Sequence, residues 1–319
     1  MEFFSTFKIT FLATFQIFLM GACGYILAKR EILNKGGLQL LSWLVVNFFF
    51  PLFSFNQLIH NFSFTKYQNW WIFPFISLAI TAGGFFMGWA FSLVKDKMSY
   101  RREFVAIVGF QNSGFIPLVL ITTMFAGKIA EDLYVYTFLF LIGFDLVIWS
   151  FGVWFLVHGK VEKREMGNLI GAPAVAIIAS LILIFFGLDK WIPAAVMKPI
   201  EMFGNCALPM AIIVVGGNLA MVNIFGANRK KVALVSFVKL IVFPALVLGL
   251  LSFINAPPLI GFLVILEAAV PSANTLSVIA RNYDIDDQFL NQGVFFTNIA
   301  SVFTLPVFLT LYLSCHPLI

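Results

Sequence analysis

Phe110-Gln111-Asn112-Ser113-Gly114-Phe115-Ile116-Pro117 and Glu267-Ala268-Ala269-Val270-Pro271-Ser272-Ala273-Asn274 each interrupt the middle of a long apolar stretch with small, polar and proline residues. Inside a bilayer, unwound backbone is tolerated only where protein or a water-filled cavity satisfies the freed N–H and C=O groups. Two such breaks in one chain therefore predict a solute site within the membrane, which is the arrangement of a transporter.

The rest of the chain fits that setting. Of 319 residues, 61% are hydrophobic and 11% charged, and the mean hydropathy is +0.97, which excludes an ordinary soluble domain. Apolar runs of roughly 18 to 25 residues, each enough for a hydrocarbon layer of ~30 Å, recur about ten times. They cover 5–28, 37–59, 71–94, 103–125, 133–157, 168–187, 196–221, 231–253, 258–281 and 289–313. The expected fold class is an all-α membrane protein of ten transmembrane helices. Its 40 phenylalanines suit a lipid-facing helical surface better than a β-barrel, whose strands would alternate polar and apolar residues. The first run carries Glu2 and Lys8 in place of a basic leader, so it is read as the first helix.

The net charge of +5 does not mark a nucleic-acid partner, because the cations lie in short connections and form no separate basic domain. On one side fall Lys29, Arg30, Lys35, Lys95, Lys97, Arg101, Arg102, Lys160, Lys163, Arg164, Arg229, Lys230, Lys231 and Arg281. On the other fall Lys8, Lys66, Lys128, Lys190 and Lys198. The positive-inside rule puts the first group in the cytoplasm and both termini outside, with the chain in the plasma (inner) membrane. Cys23, Cys206 and Cys315 are widely spaced and form no metal-binding pattern, so they are read as packing residues.

The two halves echo one another. Asn47 and Pro51 in the second segment match Asn205 and Pro209 in the seventh, both pairs 158 positions apart, and the same shift places Phe104 on Phe262. Five segments per half force the halves to insert with opposite orientation, so the expected organisation is two inverted five-helix repeats, 1–157 and 168–319. Broken segments 4 and 9 would then cross near the midplane. Pro117 shifted by 158 falls on Thr275, so the breaks align only approximately.

Half-helices that begin at such a crossing aim their partly positive N-termini at a central cavity, which favours a carboxylate. Asn112, Ser113, Gly114, Pro117, Pro271, Ser272 and Asn274 are the candidate substrate contacts there. Asn47 and Asn205 join them as candidates, the structural alternative being an Asn bonded to a proline-freed carbonyl. Pro74, Pro173, Pro244 and Pro306 lie in other spans without a polar cluster, so proline alone does not mark a site.

Three ionisable residues sit within spans: Asp145, Lys239 and Glu267. A charge at the bilayer centre costs roughly 2.5 kcal/mol or more, so such residues face the protein interior and find partners. Glu267 lies nine residues beyond Pro258, about 14 Å along its helix at a 1.5 Å rise, beside the break. With Gln111, Asn112 and the freed carbonyls it could ligate sodium, the one cofactor these residues admit, or it could carry a proton. Asp145 is a second cation-coupling candidate. Lys239 is expected to be the structural counter-charge of Asp145, the alternatives being an attraction for an anionic substrate or a pairing with Glu267. Enzyme chemistry is not expected. His60, His158 and His316 lie outside the spans, which leaves no intramembrane base, and there is no GxxxxGK[ST] phosphate loop.

At these residues the chain resembles the auxin efflux carrier family, which includes the plant PIN proteins and bacterial dicarboxylate permeases. The resemblance covers nearly the whole length. It rests on Gly21 through Leu33, Asn47-Phe48-Phe49-Phe50-Pro51, Asn112-Ser113-Gly114-Phe115-Ile116-Pro117-Leu118 and Pro271-Ser272-Ala273. Gln111-Asn112-Ser113-Gly114 is also similar to the crossover sequence of the bile acid:sodium symporters, relatives of similar fold. The resemblance implies a scaffold of segments 1, 2, 6 and 7 and a mobile transport domain of segments 3–5 and 8–10. It further implies a homodimer formed through the scaffold and organic-anion transport by an elevator motion. By position, Asn112, Pro117 and Pro271 match the crossover motifs and Asn47 with Pro51 the second-helix motif. The chain departs from plant members in joining its halves by 159–167 alone, where they have a long hydrophilic loop. Glu267 is not a feature of the plant carriers and is similar to the acidic sodium ligand of the bile acid relatives.

The expectation is therefore a secondary transporter of a small organic anion, coupled to sodium or protons. The competing expectation is a membrane sensor that keeps the fold without flux, although the cytoplasmic connections offer it little output surface. The topology is open to direct test. In a background without native cysteines, Ser5→Cys and Leu318→Cys should both react with an impermeant maleimide applied from outside. Protection of both until the membrane is permeabilised would reverse the orientation.

Overall fold

A computed structural model of the chain describes residues 2–93, 100–157, 171–223, 226, 228–283 and 288–318. Lys95, Lys97, His158, Lys160, Lys163, Arg164 and the 159–167 connection lie outside the described residues, as does the side chain of Arg281. Everything described is helix or short connection, as the long apolar runs dictate. In chain order the helices are α1 (Glu2–Lys29), α2 (Lys35–Asn61), α3 (Ile72–Leu93), α4 (Arg101–Gly109), α5 (Phe115–Met124), α6 (Gly127–Leu156) and α7 (Ala172–Phe185). They continue with α8 (Ala194–Ala220), α9 (Arg229–Leu251), α10 (Pro258–Ala269), α11 (Thr275–Asn282) and α12 (Gln288–Cys315).

Among the described residues, seven helices, α1, α2, α3, α6, α8, α9 and α12, are long and apolar enough to cross a membrane. The expected fourth and ninth segments are not single helices. Each is a pair of short ones, α4 with α5 and α10 with α11. The expected fifth segment begins earlier than hydropathy suggests, at Gly127, because the polar first turns of α6 are held at one rim. There Asp132 accepts from Lys66 Nζ at 2.6 Å and from Tyr67 OH at 2.5 Å. Burial and the Asp132 carboxylate push the Tyr67 phenol well above its ordinary range, so it remains a donor.

Prolines shape several spans without ending them. Pro51 and Pro244 each follow a π-helical turn, Val45–Phe49 and Val238–Val242. Proline has no N–H for the residue four before it, and the widened turn lets the amide just before the proline reach back one residue further than in an α-helix. Phe50 N bonds Val45 O in this way, and Phe243 N bonds Val238 O. In α8 the same task falls to a turn at Asn205–Cys206, four residues before Pro209.

Small residues fix how the helices pack. α1 lies on the second half of α8 so closely that a Cβ on Gly24 would stand 2.0 Å from Ile213 O, and one on Gly216 would stand 1.8 Å from Gly21 O. In lipid there is no hydrophobic drive between apolar helices, so such backbone contact supplies the association. The second half of α2 packs on α7 and on the first half of α8, where Gly204 lies against the Phe53 backbone. α3 packs on α4 and α6, and α12 on α9, α10 and α4. α1 also meets α12, through a 2.8 Å bond between the buried hydroxyls of Thr10 and Thr310.

This packing predicts a contrast between two single-methyl changes. Gly24→Ala should cut the folded yield or lower the thermal midpoint of the detergent-purified protein by several degrees. Gly249→Ala, whose Cβ would meet open space on α9, should leave both unchanged or slightly raised. Equal midpoints for the two variants would mean that α1 and α8 do not pack this closely.

Candidate functional site

Asn112 and Ser113 compete with the helical ladder through their side chains and Gly114 adds backbone freedom, so α4 ends at Gly109 with Phe110 extended at φ −100°, ψ 114°. Pro117 is not the kink itself. It is the third residue of α5, where its missing N–H would have had no intrahelical partner in any case. In the second break Pro271 holds Val270 away from helical geometry, at φ −64°, ψ 152°.

The two breaks repair one another. Asn112 N donates to Pro271 O at 2.8 Å and Ala273 N to Phe110 O at 3.0 Å, which places Gln111 opposite Ser272 in an isolated antiparallel bridge. Ser272 Oγ donates to Ile107 O at 2.7 Å and ties this bridge to the last turn of α4. Gln111 Nε2 reaches Thr81 Oγ1 on α3 at 3.4 Å, and Asn298 Nδ2 on α12 reaches Asn274 Oδ1 at 3.4 Å. The sequence reading missed Thr81 and Asn298. A carboxamide in the middle of the apolar run 289–313 was the available signal for Asn298.

What remains unsatisfied is as informative as what is bonded. Gln111 Oε1, Asn112 Nδ2, Ser113 Oγ, both Glu267 carboxylate oxygens, Asn274 Nδ2 and Asn298 Oδ1 are buried without a hydrogen-bond partner. Buried polar groups are ordinarily paired, so this concentration of free donors and acceptors fits a place built for ligand, ion or water. Beside it lies a cavity of about 400 Å³, within the range of small-molecule sites. Asn218 and Asn223 from the end of α8, Asn274 and Ser277 at the start of α11, and Gln288 and Asn291 from α12 supply its polar lining. Asn274 thus belongs both to the crossing and to the cavity wall.

Of the residues expected at the site, Gln111, Asn112, Ser113, Gly114, Glu267, Pro271, Ser272 and Asn274 are brought together at or beside the crossing. Asn47 and Asn205 are not. Both are exposed at the helix irregularities before Pro51 and Pro209, and Asn47 Nδ2 donates to Trp43 O at 3.0 Å. Lys239 corrects an expectation. It is fully buried in the π turn of α9 and forms no ion pair with Asp145. That turn packs on α10, the helix that carries Glu267. Asp145 is partly buried on α6, has no ion-pair or hydrogen-bond partner among the described residues, and feels no charged neighbour.

Comparison with known proteins gives the family. A family model described as membrane transport protein matches residues 9–174 and 165–309, nearly the whole chain. The chain belongs to the membrane transport protein family of auxin efflux carriers. It is similar to Protein PIN-LIKES 6 of Arabidopsis thaliana, at 29% identity over 122 residues, which is 37% of this chain and 28% of that protein. It is also similar to an uncharacterized transporter, MJ1031, of Methanocaldococcus jannaschii, at 27% identity over 132 residues, 41% of this chain and 42% of that one. The matched stretches thus span less than half the length of either relative. The chain is a multi-pass membrane protein of a transporter family.

The crossing separates residues that hold the fold from residues that do not. Ser272→Ala deletes a buried bond to Ile107 O and should destabilise the protein by about 1 kcal/mol. Asn112→Ala removes an unpaired buried donor and leaves the backbone bond to Pro271 intact, so thermal unfolding should show no loss. The opposite order of midpoints would make Asn112 a structural residue.

Proposed function

We propose that this chain is a secondary carrier that moves a small organic anion, a carboxylate, through the crossing of the two broken segments. The observation that carries the reading is the paired backbone break surrounded by unbonded polar atoms and opening, through Asn274, onto the cavity between α8 and α11–α12. α5 and α11 both begin at the break, so the partly positive starts of their helix dipoles, with the donors Asn112 Nδ2 and Asn274 Nδ2, favour a carboxylate there. The cavity wall is mixed, with Leu219, Met221, Val222, Val278 and Val294 beside the polar residues, which suits a small anion with a hydrocarbon body.

The arrangement proposed is ten spans in two inverted five-helix repeats, 1–157 and 168–319. α4–α5 and α10–α11 each count as one broken span, and Phe104 and Phe262 are equivalent buried residues near their starts. α1, α2, α7 and α8 then form a scaffold and α3–α6 with α9–α12 a transport domain. Contacts of α1 with α8, and of α2 with α7 and α8, support the first group; those of α3 with α4 and α6, and of α12 with α9, α10 and α4, support the second. The cavity falls where α8 faces α11 and α12, on the boundary between them. Sliding of the transport domain along the scaffold, as an elevator, would expose this cavity alternately to the two sides. In this reading the protein is a scaffold-paired homodimer in the plasma membrane with both termini outside, and the ion coupled is sodium or a proton acting at Glu267.

Reconstituted proteoliposomes test the proposal. Counterflow of radiolabelled mono- and dicarboxylates should reveal saturable exchange for at least one of them. Asn112→Ala should cut it tenfold or more at equal protein incorporation. Absence of exchange across a panel of aliphatic and aromatic carboxylates, or full exchange by the variant, would remove the anion-carrier reading.

A further inference from the structure

Glu267 and Lys239 are the two fully buried formal charges among the described residues. They lie on the adjacent helices α10 and α9, and the π turn Val238–Val242 that carries Lys239 packs on α10. Yet no ion pair within 4.0 Å joins them, and neither the carboxylate oxygens nor Lys239 Nζ has a hydrogen-bond partner. Lys239 Nζ instead sits 5.3 Å from the Phe243 ring centroid, and Ser113 Oγ stands beside Glu267 without a bond of standard geometry. A purely structural ion pair inside a membrane protein closes to contact and has its remaining positions filled, because each unpaired charge is costly. This pair is held apart and left unfilled, next to the crossing.

We infer that Glu267 and Lys239 form one proton-binding pair, and that the proton, not sodium, is the ion this carrier couples. The inference rests on the carrier reading and deepens it. With one proton between them the two residues carry no net charge, either as carboxylate and ammonium or as carboxylic acid and amine. Binding a second proton from water leaves carboxylic acid and ammonium, with one positive charge; releasing it restores the neutral pair. That added charge lies beside the start of α5 and favours an anion at the crossing, so proton and monoanion would cross together without net charge movement.

The same geometry disfavours sodium. A sodium ion needs Glu267 ionised and several oxygen ligands in place, and the Lys239 ammonium both neutralises that carboxylate and repels a metal cation. Of the other elements packed on α10, α3 carries no titratable residue. α6 carries Lys128, Glu131, Asp132, Tyr134, Tyr136 and Asp145, and α12 carries Tyr312 and Cys315, with His316 just beyond its end. None of these forms an ion pair or hydrogen bond with Glu267. Tyr312 donates its hydroxyl to Pro258 O at 2.8 Å. On α9, Arg229, Lys230 and Lys231 lie in the first turn, well before Lys239, and none pairs with Glu267.

Thermal unfolding of the full chain in detergent tests the pair without requiring the substrate. The midpoint of the wild-type protein should move by several degrees between pH 5.5 and 8.5, equally in sodium chloride and in choline chloride. Glu267→Gln should abolish most of that movement. Glu267→Gln and Lys239→Met should each lower the midpoint, and the double variant should stand above the lower of the two, because removing both charges leaves none orphaned. Sodium-specific stabilisation of the wild type that Glu267→Gln abolishes would replace the proton with a metal ion. A midpoint indifferent to pH, or strictly additive losses in the variants, would overturn the pair. If neither single variant folds, the wild-type pH and sodium series decides alone. Anion exchange without this pH signature would sink the pair and leave the carrier standing; the signature without exchange would do the reverse.

Discussion

Two backbone hydrogen bonds, Asn112 N to Pro271 O and Ala273 N to Phe110 O, are the constraint on which the rest of the site depends. Each broken segment exposes peptide groups at a depth where lipid offers no partner, and an unsatisfied group there costs several kcal/mol. Neither break is tolerable alone. Placed against each other as a single antiparallel bridge, they satisfy one another, and the chain can then keep non-helical backbone inside an apolar protein. This is why α4 and α10 must meet, and why their partners α3, α6, α9 and α12 gather around them.

The bridge settles the backbone and leaves the side chains free. In an antiparallel pair of this kind, Gln111 and Ser272 face each other without direct bonding of their own amides, so their neighbours project outward into the surrounding space. Ser272 turns back to Ile107 O and locks the bridge; Asn112 and Asn274 keep unpaired amide groups. Bonded and unbonded polar groups thus alternate residue by residue along a few positions. Proteins commonly accept unsatisfied groups where ligand must bind, at some cost to the fold, and here the cost is concentrated at the crossing.

The helices outside the crossing show a second division of labour. Large apolar side chains cover the exposed surface, phenylalanine, leucine and isoleucine foremost, with Phe86, Trp89, Trp154, Phe185 and Phe253 among them. The closest backbone approaches between helices rely on small residues, as at Gly21, Gly24 and Gly216 between α1 and α8 and at Thr10 and Thr310 between α1 and α12, while buried aromatic pairs such as Phe50 with Phe138 fill the wider gaps. Bulk favours lipid contact because it adds apolar surface. Small residues favour protein contact because dispersion and hydrogen bonding, which replace the hydrophobic effect in a bilayer, fall away steeply with distance.

Hydropathy alone determined that the chain is helical and multi-pass, because no other use of so many apolar runs satisfies the backbone in lipid. The Gln111–Gly114 and Val270–Asn274 breaks were equally legible, since proline and poor helix formers act locally and need no knowledge of neighbours. Glu267 could be placed beside its break by counting residues. The partners were not legible. That Lys239 forms no ion pair with Asp145 and lies in a turn packed on the helix of Glu267 depends on how α9 widens before Pro244 and packs on its neighbours. Thr81, Asn298 and the cavity lining come from α3, α8 and α12, tens to hundreds of residues from the motifs they serve. Asn47 and Asn205, which the repeat pattern picked out together with the crossing, proved to share a local helix irregularity and to stand on the outer surface. Local backbone chemistry is written in consecutive residues. Which buried charge faces which is set only when the helices pack, because burial and proximity are properties of the assembled bundle.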